Sequence, residues 1–221
     1  MDVVQAINER FAVRAYKPDP VPLDLMKKIL QQALRAPSWA NTQPWEFAVA
    51  TGQPLKAIEE GFVARGIQPP QPDIARPFEF PEPYMTRIRI LDGKDRSKEP
   101  REETVKRANN NYRHFGAPAC IYLLIGKNFY YESKGINSWS LYDSGSVVEN
   151  IMLLATNYGL GTIAQAQAVI YPDIIRKELG IPLDKLIALG IAIGFPDWDM
   201  PENKDRRSRE PLEKIASFYG F

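Results

Sequence analysis

The sequence predicts an α+β fold, and three observations carry that expectation. Segments 23–35 and 143–158 repeat apolar residues at helical spacing. Isolated apolar runs of strand length stand between the helical stretches, the strongest being 119–125 and 186–194. The strands are not regularly followed by crossover helices, which argues against a doubly wound parallel sheet. The 221 residues suit one domain, 1–221, carrying one elaborated segment.

Taken in order, residues 2–10 read as a short helix with Val3, Val4 and Ile7 on one face. The alternating stretch Arg10-Phe11-Ala12-Val13-Arg14-Ala15-Tyr16 is compatible with a strand, and Pro18, Pro20 and Pro22 close it. In the helix at 23–35, Met26, Ile29, Leu30, Ala33 and Leu34 form one stripe. Pro22 stands where a helix start tolerates proline, and Pro37 ends the helical run. A loop at 37–44 leads to a strand at 45–50 and a helix at 54–65. Residues 66–103 are rich in proline and charge and keep no apolar period, so they read as a surface insert, extended and partly helical. A polar helix at 104–115 and the strand 119–125 follow. The helix 143–158 is apolar on more than one face, which implies burial on most sides, and Gly159-Leu160-Gly161 ends it. Strand 162–166, helix 172–179 and strand 186–194 complete the core, and the tail ends on Phe218, Tyr219 and Phe221.

Composition narrows the function. Apolar residues make up 44% of the chain, enough for a core and against global disorder. The 28 basic and 27 acidic residues nearly cancel, so no long-range field favours nucleic acid or an acidic membrane, and an anion would need a local cluster. No apolar run approaches the ~20 residues of a membrane span. The polar amino terminus, Met1-Asp2-Val3-Val4-Gln5, lacks a signal-peptide core, so the cytoplasm is the expected location. The lone Cys120 lies in an apolar run and reads as a buried, inert thiol; with the lone His114 it leaves no Cys/His metal site.

Dinucleotide, P-loop and nucleophile-elbow signatures are missing, so an enzyme here would draw its reactivity from an organic cofactor. Four features bear on such a cofactor, each with a plainer alternative. Arg10 and Arg14 point to one side of an extended segment and suit a phosphate, or are a solvated pair. Arg206-Arg207-Ser208-Arg209 places Arg207 and Arg209 on one face, or is a solvated charge run. Ser38, Asn41 and Gln43 offer hydrogen bonds to a heteroaromatic ring beside Trp39 and Trp45, or form a capped turn. The small-residue stretch 159–166 lets a flat ring approach the backbone, or is a tightly packed core strand.

In this order the four segments resemble the nitroreductase family of FMN-dependent oxidoreductases. The resemblance is carried by Asn8–Arg14 for R-x-S-x-R, by Ala36–Trp45 for A-P-S-x-x-N-x-Q-P-W, by Asn150–Leu153 for N-x-M-L, and by 203–211 for N-x-x-R-x-x-R-x-P. It spans nearly the whole chain and is weakest at 66–103. It implies a central, mostly antiparallel sheet flanked by helices, in an intertwined homodimer. It implies that Arg10, Arg14, Arg207 and Arg209 bind the FMN phosphate and ribityl chain, with backbone contacts from Phe11 and Ala12. Which of Arg206 and Arg207 serves is open from register alone. Pro37, Ser38, Trp39 and Asn41 would reach the flavin from the partner subunit, and Gln165, Ala166 and Gln167 would lie along the ring, with the Ala166 backbone near N5. No side chain need act as acid or base. Ala12 stands where the family usually has serine, and Trp39 where a small residue is common, which leaves the cofactor expectation intact and the acceptor open.

The resemblance implies a ping-pong reaction in which NADH or NADPH reduces the flavin at N5 and a nitroaromatic or quinone acceptor reoxidises it. Two alternatives stand beside it. The same fold could serve enone reduction, dehydrogenation or flavin breakdown, or the chain could bind flavin without catalysis.

Overall fold

The computed structural model describes residues 1–77, 79–90, 99–204 and 206–221. Its described helices, in chain order, are α1 (Val3–Glu9), α2 (Leu23–Ala33), α3 (Gly52–Arg65), α4 (Tyr84–Ile90), α5 (Arg101–Tyr112), α6 (Lys127–Tyr130), α7 (Ser138–Asn157) and α8 (Pro172–Leu179). The strands are β1 (Trp45–Thr51), β2 (Ala119–Gly126), β3 (Tyr131–Glu132), β4 (Gly135–Ile136), β5 (Gly161–Gln165) and β6 (Lys185–Gly194).

Strand β2 is central because it is apolar on both faces. Ile121 and Leu123 pack into a cluster with α2 and α7, whereas Cys120, Tyr122 and Leu124 pack into a second cluster with α3 and α8. A strand buried on both sides reads as a continuous apolar run, which is why 119–125 was legible. The sheet runs β1-β2-β6-β5 with every pairing antiparallel, helices pack on both of its faces, and the α+β expectation holds.

The structure corrects several details. Residues 10–16 are extended but form no strand; they make only isolated bridges, Ala12 to Thr162 and Tyr16 to Pro196. Helix α7 begins at Ser138, where Asn137 caps it by accepting from Trp139 N at 3.2 Å. Its first turn mixes polar and aromatic residues, so the cap starts it rather than the apolar stripe. Burial of α7 is also narrower than expected. Val147, Val148, Ile151 and Ala155 are buried, but Met152, Leu153 and Leu154 are only partly covered. On α1 the apolar side chains Val3, Val4 and Ile7 are all exposed. Helix α4 falls within the segment expected to be partly helical, whereas α6 and the short β3–β4 hairpin have no sign in the sequence pattern.

Of the 66–103 segment, residues 78 and 91–98 lie outside the described residues. Its first part does not drift over the surface. Gln71 N donates to Ile170 O at 3.0 Å, and the single proton of Tyr171 Oη is shared between the carbonyls of Gly66 and Gln68, at 2.9 and 3.0 Å. The Asp73 carboxylate takes both Nη1 and Nη2 of Arg176, at 3.1 and 2.6 Å, and accepts from Ile187 N at 2.7 Å. That amide lies beside the register shift between β2 and β6.

Two features of the sheet yield predictions. A Cβ added at Gly190 would lie 2.5 Å from Ala168 Cβ, so β6 needs glycine there to let the 166–169 turn settle on it. Gly190→Ala is expected to cost about 1–3 kcal/mol in urea unfolding, the scale of overpacking. The second feature is His114, which is fully buried, with Nδ1 3.3 Å from Glu59 Oε1 and Nε2 3.3 Å from Tyr122 Oη. Burial opposes its charge, but the Cys120 and Glu59 side chains outweigh burial and push its pKa up to about 9. A group raised on folding stabilises fully below its unfolded pKa of about 6.5 and loses that stabilisation as pH rises through its folded pKa. Unfolding free energy should therefore decline between pH 6.5 and 9, and Glu59→Gln should flatten that slope in denaturant titrations.

Candidate active site

The two ends of the chain are stitched together through Asn203. This buried side chain accepts from Arg14 N at 2.8 Å and donates to the carbonyls of Ala15 and Asp197, each at 2.8 Å. Lys17 N to Phe195 O, at 2.8 Å, and Asp197 N to Ala15 O, at 3.1 Å, extend the seam. The tail is thereby laid beside the extended segment 10–16, and its arginines arrive next to Arg10 and Arg14.

The result is a cavity of about 580 Å³ lined by Arg10, Arg14, Arg206, Arg207 and Arg209, with Phe11, Ala12, Asn8, Ile7 and Glu149. Among the described residues lining it, five are arginines and one, Glu149, is acidic, and Arg10 lies 3.5 Å from Glu149. Arg206 donates to Asn8 O at 2.9 Å and stacks over the Phe11 ring at 4.8 Å. Arg209 folds back on the carbonyls of Arg207 and Ser208, each at 3.1 Å. Such a cluster is a local anion site in a chain of nearly zero net charge.

A second cavity, about 520 Å³, adjoins the first and shares Arg14 and Arg207 with it. Its walls are Ile163, Ala164, Gln165, Ala166 and Gln167 from β5 and the turn after it, and Thr104, Arg107, Asn111 and Tyr112 from α5. Gln165 is buried and its Nε2 donates to Asn111 O at 3.3 Å, whereas its Oε1 is buried without a partner among the described residues. An orphaned acceptor on a cavity wall is suited to a ligand N–H.

The loop 37–43 is elsewhere in the same chain. Ala40, Asn41 and Gln43 all adopt positive φ, at 48°, 58° and 47°. Such strain persists where surroundings or function hold it. Trp39 N donates to the buried Asp143 carboxylate at 3.0 Å, and Ser38 Oγ accepts from Gln43 N at 3.0 Å. Pro37, Ser38 and Trp39 line a separate cavity of about 470 Å³ with Trp139 and Tyr142. Trp39 meets Trp139 edge-on, with ring centroids 4.9 Å apart. Asn41 is exposed.

Residues 7–195 match the nitroreductase family. The chain belongs to that family. The nitrobenzene nitroreductase of Ectopseudomonas oleovorans is 30% identical, over 96% of this chain and 94% of the relative. The 4-nitrobenzoate reductase of Pseudomonas putida is 28% identical, over 100% of this chain and 96% of its own. Among solved structures, the FMN and NADPH-dependent nitroreductase NfnB from Sphigopyxis sp. strain HMH superposes with a TM-score of 0.90 at 27% identity, both chains covered in full. The FMN-dependent NfnB of Mycobacterium smegmatis, solved with NADPH, gives 0.84 at 26% identity over 99% of this chain and 100% of that one. The nitroreductase-like fold is thus shared along the whole chain.

Of the residues singled out from sequence, Arg10, Phe11, Ala12, Arg14, Arg207 and Arg209 gather in the arginine cavity, and Gln165, Ala166 and Gln167 line its neighbour. Pro37, Ser38 and Trp39 line neither, and Asn41 is not brought to either. Sequence reasoning missed Asn203 as the stitch; the asparagine opening the terminal motif was the available signal. It also missed the α5 wall, because Thr104, Arg107 and Asn111 stand in a helix that reads only as polar. Among the described residues no His/Cys/Asp/Glu group could hold a metal, and no helix is long and apolar enough to cross a membrane.

Proposed function

We propose that this protein is an FMN-dependent oxidoreductase that uses NADH or NADPH to reduce nitroaromatic or quinone-type acceptors. The observation that carries the reading is the pair of adjoining cavities sharing Arg14 and Arg207. One is cationic and suits a phosphate; the other is walled by small residues and suits a flat ring. The orphaned Gln165 Oε1 fits a flavin, whose ring carries N–H donors. Relatives named for nitrobenzene and 4-nitrobenzoate reduction support the acceptor class, and NfnB solved with NADPH supports the donor.

In this reading Arg10, Arg14, Arg207 and Arg209 hold the phosphate and ribityl end, with Phe11 and Ala12 contributing backbone. Gln165, Ala166 and Gln167 flank the ring, with the Ala166 backbone near N5. Arg206, tied to Asn8 and Phe11, shapes the floor, which leaves Arg207 as the binding arginine. FMN, when bound, supplies the redox chemistry, carrying two electrons from NADH or NADPH to the acceptor in ping-pong order. The chain's share is to orient both reactants and exclude water.

The functional unit in this reading is a homodimer of single-domain chains, 1–221, each with its insert at 66–103. The exposed apolar residues Val3, Val4 and Ile7 of α1, and Phe218, Tyr219 and Phe221 of the tail, then gain cover. Pro37, Ser38, Trp39 and Asn41, remote from their own arginine cavity, would complete the partner's site. The test is spectroscopic. The purified protein, alone or after added FMN, should show a flavin spectrum that NADPH bleaches and 4-nitrobenzoate restores. A colourless protein that refuses FMN would contradict the reading.

A further inference from the structure

The turn at Ala166–Val169 has no side-chain cap of its own, yet it forms part of the ring cavity's wall. Its support comes from the 66–103 segment. Gln71 N donates to Ile170 O at 3.0 Å at one end of the turn. At the other end Arg76 Nη2 reaches Ala166 O at 3.2 Å and Gln167 Oε1 at 2.9 Å. Between these two braces stands Asp73, fixed to Arg176 and to the Ile187 amide of β6. Arg76 does not line the cavity, and among the described residues no acidic side chain pairs with it.

We propose that Arg76 is a positioning residue for the redox site, a guanidinium whose Nη2 donates twice and so sets the Ala166–Gln167 peptide and the Gln167 side chain against the flavin; this rests on the FMN reading above. The physics is simple. A trans peptide is planar and its carbonyl and N–H point in opposite directions. Gripping Ala166 O therefore turns Gln167 N–H to the other side, and the second hydrogen bond holds the Gln167 amide in one orientation. A charged donor makes both bonds stronger than neutral ones. A segment outside the central sheet thereby sets the geometry of a wall that strand β5 begins.

The test compares wild type with Arg76→Met and Arg76→Lys. In flavin-free protein, amide hydrogen exchange across 166–169 should quicken about tenfold in Arg76→Met, the scale of a lost charge-assisted hydrogen bond, with β2 unchanged. Arg76→Lys, with the charge but a shorter reach and no planar donor group, should fall between. In FMN-loaded protein, Arg76→Met should slow flavin reduction by NADPH about tenfold and shift the bound flavin's midpoint potential, while the apparent KM for NADPH stays near wild type. Unchanged exchange at 166–169 overturns the clamp whether or not flavin binds. Faster exchange with an unchanged reduction rate and potential overturns the positioning role. A wild-type protein that takes up no FMN sinks the FMN reading itself, and the exchange arm then judges the clamp alone.

Discussion

Asp73→Ala is expected to lower the unfolding free energy by about 3–5 kcal/mol, the cost of removing one partner from a largely buried ion pair. The Asp73 and Arg176 side chains are only 15% and 13% exposed, and they meet through two parallel hydrogen bonds. Arg176 Nε is already buried without a partner, so loss of the carboxylate leaves a guanidinium resting chiefly on the Lys185 carbonyl. The Ile187 amide loses its acceptor in the same step. A guanidinium denaturation curve with a lower midpoint and unchanged slope is the expected readout. Asp73→Ala/Arg176→Met should recover part of the loss, because it removes the stranded charge as well. The same variant should loosen the braces on residues 166–170 and so weaken flavin binding.

The second large effect lies in the arginine cavity. Arg14→Ala and Arg209→Ala should each weaken FMN binding by roughly 1.5–3 kcal/mol, the worth of a hydrogen bond to a charged group. Arg14 is held at its backbone by Asn203, its Nη1 donates to Ala12 O at 3.2 Å, and it lines both cavities. Arg209 stands on the tail, where its Nη1 donates to the neighbouring carbonyls of Arg207 and Ser208. Fluorescence quenching of FMN by each variant measures the loss, and unchanged affinity in both would refute the assignment.

The sequence made legible what periodicity and length determine. The stripe of α2, the both-sided burial of β2 and the apolar run of β6 all follow from residue type at fixed spacing. Three other features depend on contacts between distant residues, which no local pattern encodes. The extended segment 10–16 looks like a strand by alternation, but it finds only isolated bridges because the tail, through Asn203, takes its remaining backbone groups. The insert reads as a loose excursion because its anchors, Asp73 and Arg76, are single polar residues whose partners lie on α8, β6 and the 166–169 turn. The loop 37–43 was singled out for its side chains, yet its positive φ values at Ala40 and Gln43 occur at residues that ordinarily avoid them. The arginines of the two ends were ambiguous singly, and their meeting in one cavity is what the fold adds.

If this cluster takes the phosphate of FMN, as proposed, the phosphate should dominate flavin affinity. Apoprotein is titrated with FMN and with riboflavin, which carries the same ring and ribityl chain but no phosphate. Two or more charge-assisted hydrogen bonds to phosphate should make FMN bind at least about 100-fold more tightly, and Arg14→Ala/Arg209→Ala should erase most of that preference. Equal affinity for the two flavins in the wild type, or a preference that survives in the double variant, would contradict the account.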